Sequence, residues 1–260
     1  MGPAQSLVLK LVLTPLLIGA ASLAGRRWGS EIGGWLVGIP ITSAPVALFL
    51  ALGQGSHFAA QASIGILAGI MSQAAFALAY AWSAGRFGWG ICFLSATIAF
   101  LAITAVLIPL KTSALVTFVL GVVVLVVALA VIPRRARART DSGKLPAWDI
   151  PARMLVGTTF VIALTGAAPA LGPRVAGLLS PFPLYAAVLA VFTHRVEGGA
   201  SAVAVLRGLM LGLFAFAGFF VMLALLLEPD GVAVAFTVAV LVALAVQALS
   251  LTTGRRFGFA

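Results

Sequence analysis

The sequence predicts an all-α polytopic membrane protein, with about nine transmembrane helices arranged as an inverted-topology repeat. Three observations carry this prediction: the composition, the spacing of the apolar segments and a helix break that occurs twice. Of the 260 residues, 62% are hydrophobic and only 8% are charged, and the mean hydropathy is +1.19. A soluble domain is nearer half apolar and a quarter charged, so the composition indicates a membrane protein.

The charged residues and the cysteine exclude several classes of partner. The net charge of +10 does not indicate nucleic-acid binding, because the cations lie in short loops and form no basic face with interleaved aromatic residues. The single cysteine, Cys92, allows neither an internal disulfide nor a cysteine-cluster metal site. His57 and His194 are expected on opposite sides of the membrane, so they cannot share a metal. We therefore expect no cofactor.

The apolar segments are long enough to cross a bilayer, which takes about 20 residues. The first segment is interpreted as a helix and not as a signal peptide, because its cation, Lys10, lies within the apolar run and no basic region precedes it. The nine predicted spans are Gln5–Gly25, Gly33–Gly53, His57–Ser83, Trp89–Leu110, Ser113–Ile132, Met154–Leu171, Ala176–Thr193, Ala200–Leu227 and Val232–Thr252.

The distribution of cations between the loops predicts the orientation. The one long polar connection, residues 133–153, is rich in arginine, and cytoplasmic loops carry an excess of Lys and Arg. With that connection inside, the outer loops hold only Lys111 and Arg174. The other inner cations are then Arg26, Arg27, Arg86, Arg195, Arg255 and Arg256. We expect a bacterial cytoplasmic membrane, with the N-terminus outside and the C-terminus in the cytoplasm.

The second predicted span contains a break. Pro40 and Pro45 each remove a backbone donor and crowd the preceding turn, and Thr42 and Ser43 lie between them. An interrupted helix at membrane depth is tolerated only where protein or a water-filled cavity covers the freed backbone groups. The exposed amides of a half-helix are also well suited to binding an anion.

The seventh predicted span repeats this device at Ser180-Pro181-Phe182-Pro183, with Tyr185 just beyond. Two interrupted spans at corresponding positions of two halves are typical of a transporter binding site. The alternative is that the prolines only kink two helices whose neighbours satisfy the backbone. We expect Ser43 and Ser180 to lie close together near the membrane centre.

An internal repeat supports this plan. An ungapped offset of 139 residues places residues 67–71 opposite residues 206–210 and keeps both broken spans in one register. The predicted units are residues 1–132 with five spans, the basic linker 133–153, and residues 154–260 with four spans. Because five is odd, the second unit enters the membrane from the opposite side. No family motif covers the chain, and the layout is similar to secondary transporters built from five-helix inverted repeats.

Arg207 is the candidate residue with the clearest physical argument. It lies about 10 Å into its predicted span at 1.5 Å per residue, and a charge at such depth is a functional hypothesis by default. No acidic residue lies deep in any span, so an anionic substrate is the expected partner of its guanidinium. The alternatives are that Arg207 reaches the headgroups or meets Glu197. Lys10 is expected to reach the outer interface, with a gate as the alternative.

The third span carries a polar stripe at helical spacing. Gln61, Ser72 and the flanking Gln73 are predicted to line the site, because amides in lipid need partners. Small residues recur at four-residue spacing as Gly65/Gly69 and as Gly208/Gly212 in the eighth span. These pairs permit close helix contact, and packing alone also explains them.

The sequence therefore predicts a secondary-active transporter of a small anionic or zwitterionic solute, bound near the bilayer midplane between the two broken helices. The alternatives are a flippase for a lipid or lipid-linked phosphate and a non-transporting membrane anchor. An enzyme is not expected, since no HExxH, GxSxG or P-loop motif is present. Expected partners are the anionic or amphiphilic substrate, membrane lipids and H⁺ or Na⁺ as coupling ion, and a homo-oligomer is compatible with the pattern.

Overall fold

The chain is a bundle of helices in a computed structural model that describes residues 3–40, 43–110, 112–133, 146, 148–159, 162–163 and 182–256. No β-strand occurs among these residues. The helices are α1 (Pro3–Trp28), α2 (Ser30–Val37), α3 (Ser43–Gln54), α4 (Ser56–Ser83), α5 (Trp89–Leu107), α6 (Ala114–Val131), α7 (149–159), α8 (Leu184–Glu197), α9 (Gly199–Leu226) and α10 (Gly231–Arg256).

Five of the described helices are long and apolar enough to cross a membrane: α4, α5, α6, α9 and α10. Their ends lie within four residues of the predicted spans. Large apolar side chains on α5, α6 and α10 remain exposed, as expected for a lipid-facing surface. The all-helical membrane protein predicted from composition is therefore confirmed at this level.

The second apolar segment is broken, as predicted, but at one place. Helix α2 ends at Val37, and α3 begins at Ser43. Pro40 is buried in the connection, and its carbonyl accepts a hydrogen bond of 2.8 Å from the Ala44 amide. Pro45 lies in the first turn of α3, where a missing N–H needs no partner. The prediction that Pro45 breaks the span is therefore wrong.

Helix α8 also begins at a proline. Pro183 is its N-cap residue, and Phe182 before it packs against Phe76 and Phe100 with ring centroids 5.7 and 5.2 Å apart. The chain entering α8 is thus anchored to α4 and α5 by aromatic contacts. Thr42, Ser180 and Pro181 lie outside the described residues, and so does the predicted proximity of Ser43 to Ser180.

Helices α4 and α9 pack against each other in antiparallel orientation at the centre of the bundle. At one end, Nδ1 of His57 in α4 lies 3.0 Å from Oε1 of Glu228, which follows α9. At the other end, a Cβ atom on Gly199 would collide with the carbonyl oxygen of Ala84. The first turn of each helix therefore meets the last turn of the other.

The caps and lengths of α4 and α9 can be compared with the offset predicted for the internal repeat. Both α4 and α9 have 28 residues, and each follows a glycine with positive φ, Gly55 at 92° and Gly198 at 93°. These glycines are 143 residues apart, as are Pro40 and Pro183. This spacing differs by four residues from the ungapped offset of 139, and the repeat stays a prediction. Identities recur by chance in apolar sequence, whereas caps and prolines mark helix ends.

Hydrogen bonds gather several helix ends at one end of the bundle, which we call the Asp149 end. Arg26, in the last turn of α1, donates to Asp149, and the hydroxyl of Tyr80 in α4 lies 3.2 Å from Nδ1 of His194 in α8. Trp82 donates to the carbonyl of Val131, so α6 ends there too. The opposite end, marked by His57, is called the His57 end.

Candidate functional site

Arg207 lies on α9, about 12 Å along the helix from Gly199 at 1.5 Å per residue, and is 8% exposed. Its Nε lies 3.6 Å from Oε1 of Glu31 in the first turn of α2. The expectation that Arg207 has no carboxylate partner in the protein is therefore wrong. The alternative partner, Glu197, accepts a hydrogen bond of 3.3 Å from Ser30 instead. Glu31 was not predicted as a partner, because α2 begins three residues before the predicted span and Glu31 was assigned to the loop before it.

Glycines bring α2 against α9 closely enough to form this pair. A Cβ atom on Gly34 would collide with the carbonyl of Val205, and one on Gly208 would collide with the carbonyl of Glu31. One turn further, a Cβ on Gly212 would lie 2.5 Å from the carbonyl oxygen of Trp35. The Gly208/Gly212 pair therefore has the packing role, since the two helix backbones touch.

A second set of charges surrounds Asp149 at the start of α7. Asp149 has no exposed surface, and its two carboxylate oxygens accept hydrogen bonds of 3.0–3.1 Å from Arg26 and Arg153. Arg153 is 4% exposed and also donates to Oγ1 of Thr193 in α8, at 3.1 Å. Asp149 therefore joins α1, α7 and α8 through two guanidinium groups. Bidentate contacts of this kind are the stronger class of hydrogen bond.

Two ion-paired groups, Arg207–Glu31 and Arg26–Asp149–Arg153, lie at this end of the bundle together with Glu197, and we call these six residues the charged cluster. The formal charges cancel, which limits the cost of burying them. All six lie at or near the Asp149 end, around the beginning of α2, whereas the break follows the end of that helix. Ionisable residues that face the interior of a membrane bundle mark substrate or ion pathways.

A small open cleft with room for about one water molecule lies beside these residues, and we call it the Ser22 cleft. Its polar lining residues are Ser22, Arg26, Ser30, Arg153, Thr193 and Glu197. Ser22 is 4% exposed, and its Oγ has no hydrogen-bond partner among the described residues. A buried hydroxyl without a partner costs free energy, so this position is suited to a polar ligand or water.

Several of the predicted site residues lie away from this cleft. Gln61 is exposed near the beginning of α4, where its amide can reach polar surroundings, and a Cβ on Gly65 would touch nothing within 4 Å. The polar stripe of the third span therefore does not face Arg207 along its length. Ser72 is buried and accepts a 2.8 Å hydrogen bond from Thr104 of α5, and Gln73 is buried in α4.

The remaining predicted residues are divided between helix ends and undescribed positions. Tyr185 is half-buried, with its hydroxyl 3.1 Å from Oγ1 of Thr14 in α1, and Ser43 is half-buried at the start of α3. Lys10 belongs to α1, but its side chain lies outside the description, so neither the interfacial nor the gate interpretation is tested. The structure therefore brings only Arg207 of the predicted set to the charged cluster.

The two histidines lie at opposite ends, as expected. His57 is exposed beside Glu228, whereas partial burial lowers the pKa of His194 below its usual range. Among the described residues, no group of three or more His, Cys, Asp or Glu side chains could hold a metal ion.

No site role was predicted from the sequence for four residues of the charged cluster: Arg26, Glu31, Asp149 and Arg153. Asp149 and Arg153 carry a local signal, because an acid and an arginine four residues apart face each other on a helix. They were interpreted as part of the basic linker, since α7 begins five residues before the predicted sixth span.

The chain matches no protein-family profile, no curated protein and no solved structure.

Proposed function

We propose that the chain is a secondary-active transporter of a small anionic or zwitterionic solute, bound beside α2, the first half of the broken segment. The observation that carries this proposal is the charged cluster, of which Asp149, Arg153 and Arg207 are buried in an apolar bundle near the first turn of α2. Burying a charge in a membrane protein costs at least about 2.5 kcal/mol, so an ionic cluster of this size is best explained by function.

The charged cluster supplies groups that a solute can exchange with. Arg207 and Glu31 form an ion pair with Nε 3.6 Å from Oε1, and a carboxylate or phosphate of a solute suits the same planar guanidinium. Arg26 is 27% exposed at the cleft and reachable from the Asp149 end. In this proposal a solute enters there and displaces contacts within the cluster as the helices move.

The architecture supports a rocking mechanism. The antiparallel helices α4 and α9, of equal length and with matching glycine caps, have the relationship that an inverted repeat requires. We propose that the full chain has nine spans as five plus four, with the Asp149 end in the cytoplasm. The backbone contact at Gly208 and Gly212 gives α2 a smooth surface on which to slide along α9.

The test is solute flux into liposomes that contain the purified, monodisperse protein. A panel of labelled anionic and zwitterionic solutes is offered under an imposed H⁺ or Na⁺ gradient, with protein-free liposomes as the blank. We expect saturable uptake of at least one solute. Arg207→Leu should abolish it, Arg207→Lys should keep a remnant because charge remains without the planar fork, and the control Arg86→Gln at an exposed arginine should be silent.

Other outcomes of the same preparation separate the alternatives. Transbilayer movement of a fluorescent lipid without solute flux would reject the transporter and favour a flippase. A stoichiometric protein that copurifies, and is lost when residues 134–144 are neutralised, would favour a membrane anchor. Normal uptake by Arg207→Leu would remove Arg207 from the site.

A further inference from the structure

The exposed charges of the protein are divided between its two ends. The exposed acids among the described residues, Glu228 and Asp230, both lie at the His57 end. At the Asp149 end, Arg27, Arg86 and Arg195 are exposed, and none of the three guanidinium groups makes an ion pair or hydrogen bond within the described part of the chain. The surface of the Asp149 end therefore carries exposed positive charge without an ion-paired acid.

The tryptophans are divided in the same direction. Four of the five are between 44% and 61% exposed at helix ends of the Asp149 end: Trp28, Trp82, Trp89 and Trp148. The fifth, Trp35, is half-buried on α2. Exposed tryptophans of membrane proteins concentrate at the boundary between the hydrocarbon core and the lipid headgroups. The Asp149 end is therefore expected at one membrane surface, where it presents arginine and tryptophan together.

The end of α1 brings three of these residues together, and we call Arg27, Trp28 and Trp148 the Trp28 surface. The guanidinium of Arg27 lies over the ring of Trp28, 5.3 Å from its centroid, and this stacking holds the charge in place before a ligand binds. Arg26, in the same turn, donates to residues 146 and 149, so the exposed Trp148 lies beside the end of α1. The described hydrogen bonds leave the indole N–H groups of both tryptophans available.

From this arrangement we infer that the Trp28 surface binds the headgroup of an anionic phospholipid. The phosphate pairs with the guanidinium of Arg27, the two indole N–H groups donate to phosphate or glycerol oxygens, and the rings pack against the upper part of the acyl chains. Charge favours an anionic lipid, because a choline headgroup brings its own cation to a surface that is already positive. The inference concerns the lipid around the bundle and does not depend on the transported solute.

Native mass spectrometry of the full-length protein tests the inference, with phosphatidylglycerol and phosphatidylcholine of identical acyl chains added to the detergent solution. Wild-type protein should bind its first phosphatidylglycerol about fivefold more tightly than phosphatidylcholine, the factor expected for one arginine at a membrane surface. Arg27→Gln should remove most of this preference. The matched control is Arg86→Gln, which removes the same charge from the same end at a residue stacked on no described ring, and it should leave the preference nearly unchanged.

Trp148→Phe provides a second variant, because it keeps an aromatic ring but loses the indole N–H. It should weaken phosphatidylglycerol several-fold without lowering the thermal midpoint. Equal affinity for the two lipids, or equal losses in Arg27→Gln and Arg86→Gln, would overturn the inference. So would a loss of phosphatidylglycerol in Arg207→Leu but not in Arg27→Gln, which would place the lipid in the charged cluster. An excess of soluble glycerol phosphate should displace little lipid, since it has no acyl chains, and complete displacement would indicate a site for free phosphate instead.

Discussion

Nε of Arg207 lies 3.6 Å from Oε1 of Glu31, which gives this buried cation a counter-ion 176 residues earlier in the chain. The pair lies where α2 crosses α9. There Gly34 packs against the carbonyl of Val205, and Gly208 packs against the carbonyl of Glu31, so no side chain fits between the two backbones. The charge of Arg207 is therefore neutralised by a group within the protein.

Removing one partner of this pair should be more harmful than removing both. Arg207→Leu or Glu31→Leu alone leaves a buried charge without its counter-ion and should lower the free energy of unfolding by about 3 kcal/mol. The double variant should recover at least half of that loss. Thermal denaturation of the purified protein in one detergent measures all three variants. Losses that simply add in the double variant would show that the two side chains do not interact.

The two four-residue glycine pairs should respond differently to alanine. Gly208→Ala places a Cβ against the carbonyl of Glu31 and should destabilise the protein by about 1–3 kcal/mol through overpacking. Gly65→Ala is the matched control, because its Cβ meets no atom within 4 Å and alanine favours a helix. Its midpoint should stay unchanged or rise. A neutral Gly208→Ala would mean that α2 and α9 are less closely packed than described.

The sequence predicted the helices better than it predicted the site, for a physical reason. The ends of α4, α6 and α9 follow from apolar length, which the bilayer or a bundle core requires. The face that each helix turns inward depends on its neighbours, so Gln61 was placed in a site although it is exposed. Asp149 was assigned to a linker although it is buried. One of its partners, Arg153, lies on the same helix, but the other, Arg26, comes from α1, and the sequence does not show that contact.

Labelling of introduced cysteines tests the orientation of the bundle. In a Cys92→Ala background, Ala138→Cys in the basic linker should be protected from a membrane-impermeant maleimide in intact cells, and permeabilisation should expose it. The control is Gln54→Cys, an exposed position at the end of α3 near the His57 end, which should react from outside. The reverse pattern would invert the assigned topology.

The pH dependence of stability should include a contribution from His194. Burial lowers its pKa in the folded protein, so the unfolded chain binds the proton more readily. Stability should therefore fall as the pH drops through about 6.5, the ordinary value for histidine. Thermal midpoints between neutral and mildly acidic pH should fall less in His194→Gln than in the wild type. Tyr80→Phe loses the 3.2 Å contact but not the burial, so it should retain the wild-type slope.

Asp149 should be the most sensitive acidic position at its end of the bundle. Its carboxylate is fully buried and serves Arg26 and Arg153 together, so Asp149→Asn removes the countercharge of a buried guanidinium while keeping one acceptor oxygen. The free energy of unfolding should fall by about 3–5 kcal/mol. Asp230→Asn, at an exposed acid near the His57 end, is the control and should change stability by less than about 0.5 kcal/mol.

Loss of Asp149 should also loosen the contact between α1 and α7 before the bundle melts. In the Cys92→Ala background, a cysteine at Ser22 should react faster with a soluble maleimide in detergent when Asp149→Asn is present, since Arg26 no longer has its carboxylate anchor. Adding Asp230→Asn instead should leave the rate unchanged. Equal reactivity in all three proteins, with an unchanged thermal midpoint for Asp149→Asn, would show that the Asp149 contacts do not hold this end of the bundle together.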